Sequence, residues 1–329
     1  MKNIIVTGGL GFIGSNLVHK LSKKYKIILI DKKTYSANTN NLKGIDKKKI
    51  ILIKKDINNT NLIFKILLKY KPLAIFNLAA ETHVDRSIDS AKPFIYSNIV
   101  GTFSILEALK RYYKINKKIK LIHVSTDEVY GDITKNKFSK ETDPYVPSSP
   151  YAASKASSDH LVRAYFRTYK LPVIITNCSN NYGPRQFPEK LIPKLILNIL
   201  KNKNLPIYGN GKNEREWIYV EDHINALILI FKKGQIGQSY NIGSGIILNN
   251  IQICKIIISI ITKKLNINTK SKILYIKDRP GHDMRYALDS NKIKKKLKWK
   301  NKTNITNGLE KTINWYVNNQ SWIRNLEKK

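Results

Sequence analysis

Short apolar runs alternate with longer amphipathic segments through the first half of the chain. Each run has the length of a buried strand and is rich in Ile, Leu and Val, and strands alternating with helices are typical of a parallel, doubly wound sheet. We therefore predict an α/β fold with six strands in its main sheet, at Asn3–Thr7, Lys26–Ile30, Ile50–Lys54, Ala74–Leu78, Lys120–Ser125 and Val173–Asn177.

The segments between these runs repeat apolar residues at helical spacing, which predicts helices at Phe12–Lys23, Leu62–Lys69, Phe94–Tyr113 and Tyr151–Tyr169. The last two are long and amphipathic. Because such helices at the edge of a subunit often pair with a second copy, we expect a homodimer built on a four-helix bundle.

The alternation weakens beyond about residue 180, where prolines punctuate loops and short helices. We predict a Rossmann-type domain at 1–180 with a returning segment near 216–245. A smaller, interleaved α/β substrate-binding lobe is predicted from 181–215 and 246–329. The run Ser239–Gly243 is the strand expected to return to the main sheet.

Glycines stand at 8, 11 and 14, directly after the first predicted strand and at the start of a helix. This spacing lets the backbone and the helix N-terminus approach a pyrophosphate. Asp31 ends the second strand, where a carboxylate can bind both ribose hydroxyls and repel a 2′-phosphate. The pattern predicts bound NAD rather than NADP, with Asp56 and Ile57 near the adenine ring.

Tyr151 and Lys155 share one face of a predicted helix because they are four residues apart. An ammonium beside a phenol is expected to lower the pKa of the phenol, which would make Tyr151 a base. Two adjacent carboxylates, Asp127 and Glu128, follow the fifth strand, at the edge where parallel sheets bind ligands. For both to reach the site, the strand must end in a local turn.

Composition narrows the class of protein. The net charge is +36, but the lysines are scattered and no nucleic-acid-reading motif accompanies them, so we expect no nucleic-acid partner. No apolar stretch is long enough to span a bilayer, and we expect a soluble cytoplasmic protein without a membrane partner. The two cysteines, Cys178 and Cys254, are expected to be buried thiols, and no metal site is expected.

Six motifs together resemble the dTDP-glucose 4,6-dehydratase family of extended short-chain dehydrogenases/reductases. They are TGGLGFIG at 7–14, NLAAETHVDRSI at 77–88, STDEVYG at 125–131, YAASK at 151–155, NNYGPRQFPEKLIP at 180–193 and DRPGHDMRYALD at 278–289. The likeness runs from the first strand to about residue 315.

The resemblance implies an NAD-dependent hydro-lyase that makes a 4-keto-6-deoxy sugar nucleotide, a precursor for deoxysugars such as rhamnose. C4 is oxidised by bound NAD, water is eliminated across C5 and C6, and the hydride returns to C6. In this scheme Glu128 removes the C5 proton and Asp127 protonates the C6 hydroxyl. Tyr151 is the base at C4, with Lys155 and Thr126 beside it.

The resemblance also implies contact residues. Those for NAD are Gly8, Gly11, Phe12, Ile13, Gly14, Asp31, Asp56, Ile57, Leu78, Ala79, Ala80, Ser97, Tyr151, Lys155 and Asn181. Those for the substrate are His83, Thr126, Asn180, Lys190, Leu191, Pro206, Ile207, Tyr208, Arg215, Asn250, Arg279 and His282, with Asp85 and Arg86 bordering the sugar.

Two positions depart from the family's pattern. Glu216 stands before Trp217 where the family usually has Asp, which bears on the loop near Arg215. Leu10 replaces a small residue of the glycine loop and is expected to crowd the cofactor. The alternatives are another nucleotide-sugar 4,6-dehydratase or a 4-epimerase on the same fold, and thymine is not distinguished from uracil.

Overall fold

A seven-stranded sheet forms the centre of the molecule in the computed structural model, which describes residues 1–327. Its strand order is β10-β6-β5-β4-β1-β2-β3, and all six pairings are parallel. The strands are β1 (Asn3–Thr7), β2 (Lys26–Ile30), β3 (Ile50–Ile53), β4 (Ala74–Asn77), β5 (Lys120–Thr126), β6 (Val173–Cys178) and β10 (Ser239–Ile242).

This sheet confirms the predicted fold class. The six predicted strands are present with bounds that agree within one residue, and β10 is the predicted returning strand, paired in parallel with β6. Each face of the sheet has its own hydrophobic core, and successive residues of a strand pack on opposite faces. In β1, Ile4 and Val6 pack in one core and Ile5 in the other. Both faces are therefore covered, as the continuous apolar runs indicate.

Helices cover both faces and build the second lobe. They are α1 (Phe12–Leu21), α2 (Thr60–Tyr70), α3 (Val84–Asp89), α4 (Lys92–Phe94), α5 (Gly101–Tyr113), α6 (Pro150–Tyr169), α7 (Leu191–Leu200), α8 (Val220–Lys233), α9 (Asn250–Leu265), α10 (Asn291–Leu297), α11 (Ile305–Asn318) and α12 (Gln320–Glu327). α1 ends two residues before the predicted Lys23. Among residues 1–327, no helix combines the length and the apolar character that crossing a membrane requires.

The predicted helix at 94–113 contains a wider turn. α4 and α5 are joined by a π-helical turn at Ile95–Val100, so the backbone stays helical from Lys92 to Tyr113. Ser97 and Asn98 of this turn are buried, whereas Tyr96 is exposed. Such turns are rare and are frequent at functional sites.

The second lobe has two small sheets and a core of its own. β7 (Asn180–Tyr182), β9 (Glu214–Tyr219) and β11 (Ile247–Asn249) form one sheet, and β8 (Leu205–Tyr208) pairs with β12 (Ile273–Ile276).

β9 lies between the two lobes. Its Trp217 and Tyr219 enter the second-lobe core, while Ile218 between them enters the core of the main sheet. α10 also packs on the main sheet, through Ile293 and Leu297. The predicted division of the chain into domains stays a prediction.

Candidate active site

One continuous cleft follows the carboxyl edge of the main sheet, from the glycine loop to the turn after β5. Every residue predicted to contact NAD lines it: Gly8, Gly11, Phe12, Ile13, Gly14, Asp31, Asp56, Ile57, Leu78, Ala79, Ala80, Ser97, Tyr151, Lys155 and Asn181. The predicted catalytic residues Thr126, Asp127 and Glu128 line the same cleft. Residues far apart in sequence are thus brought together, although their roles stay predictions.

The glycine loop is closely packed against its surroundings. Gly8 has a φ of +67° and donates its N–H to the Ile30 carbonyl at 2.9 Å. A Cβ on Gly14 would lie 2.2 Å from the Gly8 carbonyl oxygen, so α1 can begin against the loop only because residue 14 is glycine. The first turn of α1 therefore borders the cleft, where it favours an anion.

Asp31 is buried at the end of β2. Its carboxylate accepts hydrogen bonds from the Leu10 N–H at 3.0 Å and the Lys33 N–H at 2.8 Å. Burial raises the pKa of Asp31, and these two bonds act against the rise. Each carboxylate oxygen keeps a second lone pair, which suits the two hydroxyls of a ribose.

Leu10 does not crowd the cleft, and that expectation was wrong. The side chain of Leu10 is fully buried and packs in the core of the main sheet with Leu17 and Leu29. The larger residue is accommodated because it points into the sheet and away from the cleft.

Asp127 and Glu128 occupy a short turn immediately after β5. The strand ends at Thr126, and Asp127–Tyr130 form a single 3₁₀ turn. Thr126 caps this turn, because its hydroxyl accepts from the Glu128 N–H at 3.3 Å. The local turn that the sequence required is therefore present. It lets both adjacent carboxyl groups line one cleft, which a regular strand would not allow.

The two carboxyl groups lie in different environments. Burial, and then the neighbouring Glu128 charge, raise the pKa of Asp127 well above its usual range. Burial also raises the pKa of Glu128, but the positive charges of Arg279, Arg215 and Lys190 oppose that rise. Asp127 therefore suits a protonated acid and Glu128 a carboxylate base.

Tyr151 and Lys155 are buried on α6. Burial, followed by the Glu128 charge, raises the pKa of Tyr151 well above its usual range, so the low pKa expected for this phenol was wrong. The Lys155 ammonium instead donates to the Val124 carbonyl at 2.8 Å, and burial lowers the pKa of Lys155. The sequence shows the pairing of the two residues but not the burial that outweighs it.

Five buried polar atoms of cleft-lining residues have no hydrogen-bond partner among the described residues. They are Ser125 Oγ, Asp127 Oδ2, Ser179 Oγ, Asn180 Oδ1 and Gln186 Oε1. Buried polar atoms are usually paired, so this row of groups suits a polar ligand that supplies the missing partners. With the glycine loop and Asp31, it fits a dinucleotide and a hydroxylated substrate.

The predicted nucleotide-binding residues lie beyond Glu128, mostly in the second lobe. Arg279 pairs with Asp85 at 3.1 Å, and the Tyr208 hydroxyl donates to the same carboxylate at 3.0 Å. The Lys190 ammonium donates to the Thr82 carbonyl at 2.9 Å. Asp85, at the start of α3, thus connects this helix to the second lobe.

Other predicted substrate residues are positioned less directly. The Arg215 guanidinium donates to the Asp283 carbonyl at 2.9 Å and lies over the Tyr286 ring, and the His282 ring contacts Asp278 at 2.6 Å. The Ile207 side chain is in the second-lobe core, which leaves only its backbone for a ligand. Of the predicted substrate contacts, Thr126, Asn180 and Lys190 line the cleft. The others lie outside its lining: His83, Leu191, Pro206, Ile207, Tyr208, Arg215, Asn250, Arg279 and His282.

Glu216, which stands where the family usually has Asp, holds the loop near Arg215 in place. It is fully buried, and its two oxygens accept from the Gly245 N–H at 2.6 Å and the Leu288 N–H at 2.8 Å. These bonds tie β9 to two other segments beside Arg215. The longer side chain therefore has defined partners here.

Glu189 lines the cleft, and the sequence did not predict it. Glu189 accepts from the Tyr35 hydroxyl at 2.8 Å, and the guanidinium of Arg86, which was predicted to border the sugar, stacks 3.6 Å from the Tyr35 ring centroid. No sequence signal joins positions this far apart. Cys178, at the end of β6, was predicted only as a buried thiol, yet it lines the cleft. Its position at the carboxyl edge of the sheet was a usable signal.

This sheet and cleft, with the Tyr151–Lys155 pair, define a nucleotide-dependent enzyme of the short-chain dehydrogenase/reductase class. Residues 5–312 match the family model described as GDP-mannose 4,6 dehydratase. A dTDP-glucose 4,6-dehydratase of Neisseria meningitidis is 45% identical over 99% of this chain and 96% of its own length. The chain belongs to the nucleotide-sugar 4,6-dehydratase family, alongside the dTDP-glucose 4,6-dehydratases.

Solved structures agree with this assignment. The crystal structure of dTDP-glucose 4,6-dehydratase from Bacillus anthracis in complex with NAD has a TM-score of 0.90 and 42% identity, covering 99% of this chain and 100% of that one. The crystal structure of dTDP-glucose 4,6-dehydratase from Streptomyces venezuelae, with NAD and a second ligand bound, has a TM-score of 0.90 and 39% identity. The match covers 98% of this chain and 99% of that one.

Proposed function

We propose that this protein dehydrates dTDP-glucose to dTDP-4-keto-6-deoxyglucose with NAD as its cofactor. The observation that carries the proposal is the pair Asp127 and Glu128, held in one turn at the sheet edge beside Tyr151. An acid and a base next to each other are what an elimination of water needs, in addition to the tyrosine that an oxidation needs. Full-length similarity to dTDP-glucose 4,6-dehydratases supports the same activity.

The glycine loop, which lines the cleft, would hold the pyrophosphate of NAD, and Asp31 would hold its ribose hydroxyls. When bound, NAD accepts a hydride from sugar C4 and later returns one to C6. A carboxylate at position 31 disfavours the 2′-phosphate of NADP through its charge.

The side chains move the protons. Tyr151 takes the proton of the C4 hydroxyl as C4 is oxidised, with Thr126 next to it. Burial raises the pKa of Tyr151, and the Lys155 ammonium and the positive nicotinamide ring of bound NAD would act against that rise so that the phenol can serve as the base. The 4-keto group makes the C5 proton acidic, and Glu128 removes that proton. Asp127, whose pKa is raised, donates to the departing C6 hydroxyl. Arg215, Arg279 and Lys190, whose positive charges act on Glu128, would hold the diphosphate.

Incubation of the purified protein with dTDP-glucose carrying deuterium at C4 tests this proposal. We expect the 4-keto-6-deoxy product with the label at C6 of the same molecule, measured by mass spectrometry and NMR. Label lost to water, or found on a second substrate molecule in a crossover mixture, would contradict hydride return within one site. Parallel reactions with UDP-glucose and GDP-mannose identify the preferred base.

The second candidate, a 4-epimerase, is less well supported by this site. An epimerase also uses a tyrosine and NAD, but it does not need an acid and a base for C5 and C6. Formation of dTDP-galactose without a keto product in the same incubation would favour it.

We also propose a homodimer and a cytoplasmic location. Ile95, Tyr96 and Phe103 on the helix from Lys92 to Tyr113, and Tyr169 on α6, are exposed apolar residues. The Tyr165 hydroxyl donates to Glu107 at 2.5 Å and joins α6 to α5. Exposed apolar groups on two paired helices suit a four-helix contact with a second copy. Both cysteines are free, which suits a reducing compartment.

Phe103→Glu is expected to convert the dimer to monomers at micromolar concentration, because it places a charge at the apolar contact. Multi-angle light scattering measures the mass. Tyr275→Glu is the matched control, since Tyr275 is an equally exposed aromatic residue on β12 of the second lobe and should leave the dimer intact. A dimer for both variants would place the subunit contact elsewhere.

A further inference from the structure

A buried chain of polar side chains runs beneath the cleft, from the end of β1 to α6. Its members are Thr7, Asn77, His123 and Asp159, all of them buried on neighbouring strands or on the catalytic helix. None of them has a part in the proton transfers proposed above. Burying a charged group this deeply lowers the stability of the fold unless the charge is paired, so we expect these residues to have a function.

The hydrogen bonds fix the direction of each donor. The Thr7 hydroxyl oxygen accepts from the Leu78 and Ala79 N–H groups, both at 3.1 Å, so its own proton goes to Asn77 Oδ1 at 2.7 Å. The Asn77 amide nitrogen then faces His123 Nδ1 at 3.1 Å and donates to it. His123 Nδ1 is therefore an acceptor, and the proton of the neutral ring is on Nε2.

This tautomer directs the Nε2 proton of His123 toward α6. His123 Nε2 lies 3.2 Å from Ser158 Oγ and 3.2 Å from Asp159 Oδ1, and the His123 and Asp159 side chains are fully buried. The other oxygen of Asp159 accepts from the Tyr145 hydroxyl at 3.0 Å and from the Asn177 amide at 3.3 Å. Burial acts to raise the pKa of Asp159, but the neighbouring His123 and Lys155 lower it, and burial lowers the pKa of His123. The carboxyl is charged and the imidazole is neutral.

Lys155 lies one helical turn before Asp159 on α6, and its ammonium donates to the carbonyl of Val124, the residue after His123. Burial lowers the pKa of Lys155, whereas the Asp159 charge and the Cys178 group raise it. The titratable groups around Lys155 are Tyr151 and Asp159 on α6, His123 on β5, Cys178 on β6, and Asp127 and Glu128 in the turn after β5.

We propose that Asp159 and His123 are positioning residues for Lys155. Asp159 supplies the buried negative charge that keeps Lys155 an ammonium, and His123, fixed in one tautomer by Asn77 and Thr7, holds that carboxylate in place. The proposal deepens the function given above, and it rests on that function wherever turnover is the readout.

Asp159→Asn tests it, because this variant keeps the size of the side chain and removes its charge. Lys155 should then lose its proton at a lower pH, so the alkaline limb of the kcat profile should move down by about one pH unit or more while the acid limb stays in place. Asp222→Asn is the matched control. Asp222 is a buried carboxylate on α8 that accepts from the Lys302 and Thr303 N–H groups, and its loss should lower Tm without moving the pH profile.

Stability gives a second readout that does not depend on turnover. Asp159→Asn alone leaves a buried ammonium without its counter-charge and should lower Tm, or prevent folding. Adding Lys155→Met removes that charge, so the double variant should fold and have a higher Tm than Asp159→Asn. Additive losses of Tm, together with an alkaline limb that does not move, would overturn the proposal. Absence of turnover by the unmodified protein would count against the proposed function alone.

Discussion

Glu128→Gln is expected to separate oxidation from elimination. The amide keeps the shape of the side chain, and the turn is held by the Glu128 N–H bonded to Thr126, which the substitution does not alter. Tyr151 remains, so C4 should still be oxidised. The base for C5 is lost, so product should form about 10² to 10⁴ times more slowly. On mixing with dTDP-glucose, absorbance of reduced cofactor should appear and persist.

Asp127 should remain a proton donor in Glu128→Gln, so the loss of turnover would report the loss of the base alone. Burial is the largest cause of the raised pKa of Asp127, and the Glu128 charge comes second. Removing that charge should bring the pKa of Asp127 down only in part, because burial continues to favour the protonated acid. Turnover of Glu128→Gln at the unmodified rate would remove Glu128 from the mechanism and leave the family assignment standing.

Tyr151→Phe should block the reaction one step earlier. Without the phenol, nothing takes the C4 proton, so neither reduced cofactor nor product should accumulate and turnover should fall about 10² to 10⁴ fold. The ring itself packs edge-on against Phe94 with centroids 6.3 Å apart, a contact that phenylalanine retains.

The control for this variant is Tyr112→Phe. Tyr112 is also a buried tyrosine, and its hydroxyl accepts from the Asn116 amide on the far side of α5. It should lose a little stability and keep its activity. Reduced cofactor in Tyr151→Phe, seen by stopped-flow absorbance, would show that another group removes the C4 proton.

The main sheet could be predicted from the sequence because buried parallel strands are continuous apolar runs. The small strands of the second lobe could not, since β7 and β11 have three residues each and depend on the strands beside them. The cleft at the strand ends follows from the fold class. For this reason residues as distant as Asp31 and Glu128 could be assigned to one cleft.

What the sequence could not give was the environment of each group. The spacing of Tyr151 and Lys155 indicates proximity, but only the structure shows that burial raises the pKa of the tyrosine. Nor could the direction of the Leu10 side chain be read from its position in the glycine loop. Partners supplied by distant segments, such as those of Glu216, also lie beyond local patterns.

The π-helical turn at Ile95–Val100 sets the angular phase of the helix that contains it. Ser97 lines the cofactor cleft, and Phe103, six positions later, points outward. Each residue advances a helix by about 100°, so deleting one residue here would rotate everything after it by that angle. Phe103 would then leave the outer surface while Ser97 stayed at the cleft. The number of residues in this segment is therefore constrained by both the cleft and the outer surface. An insertion or deletion that leaves Ser97 at the cleft would turn Phe103 away from the outer surface.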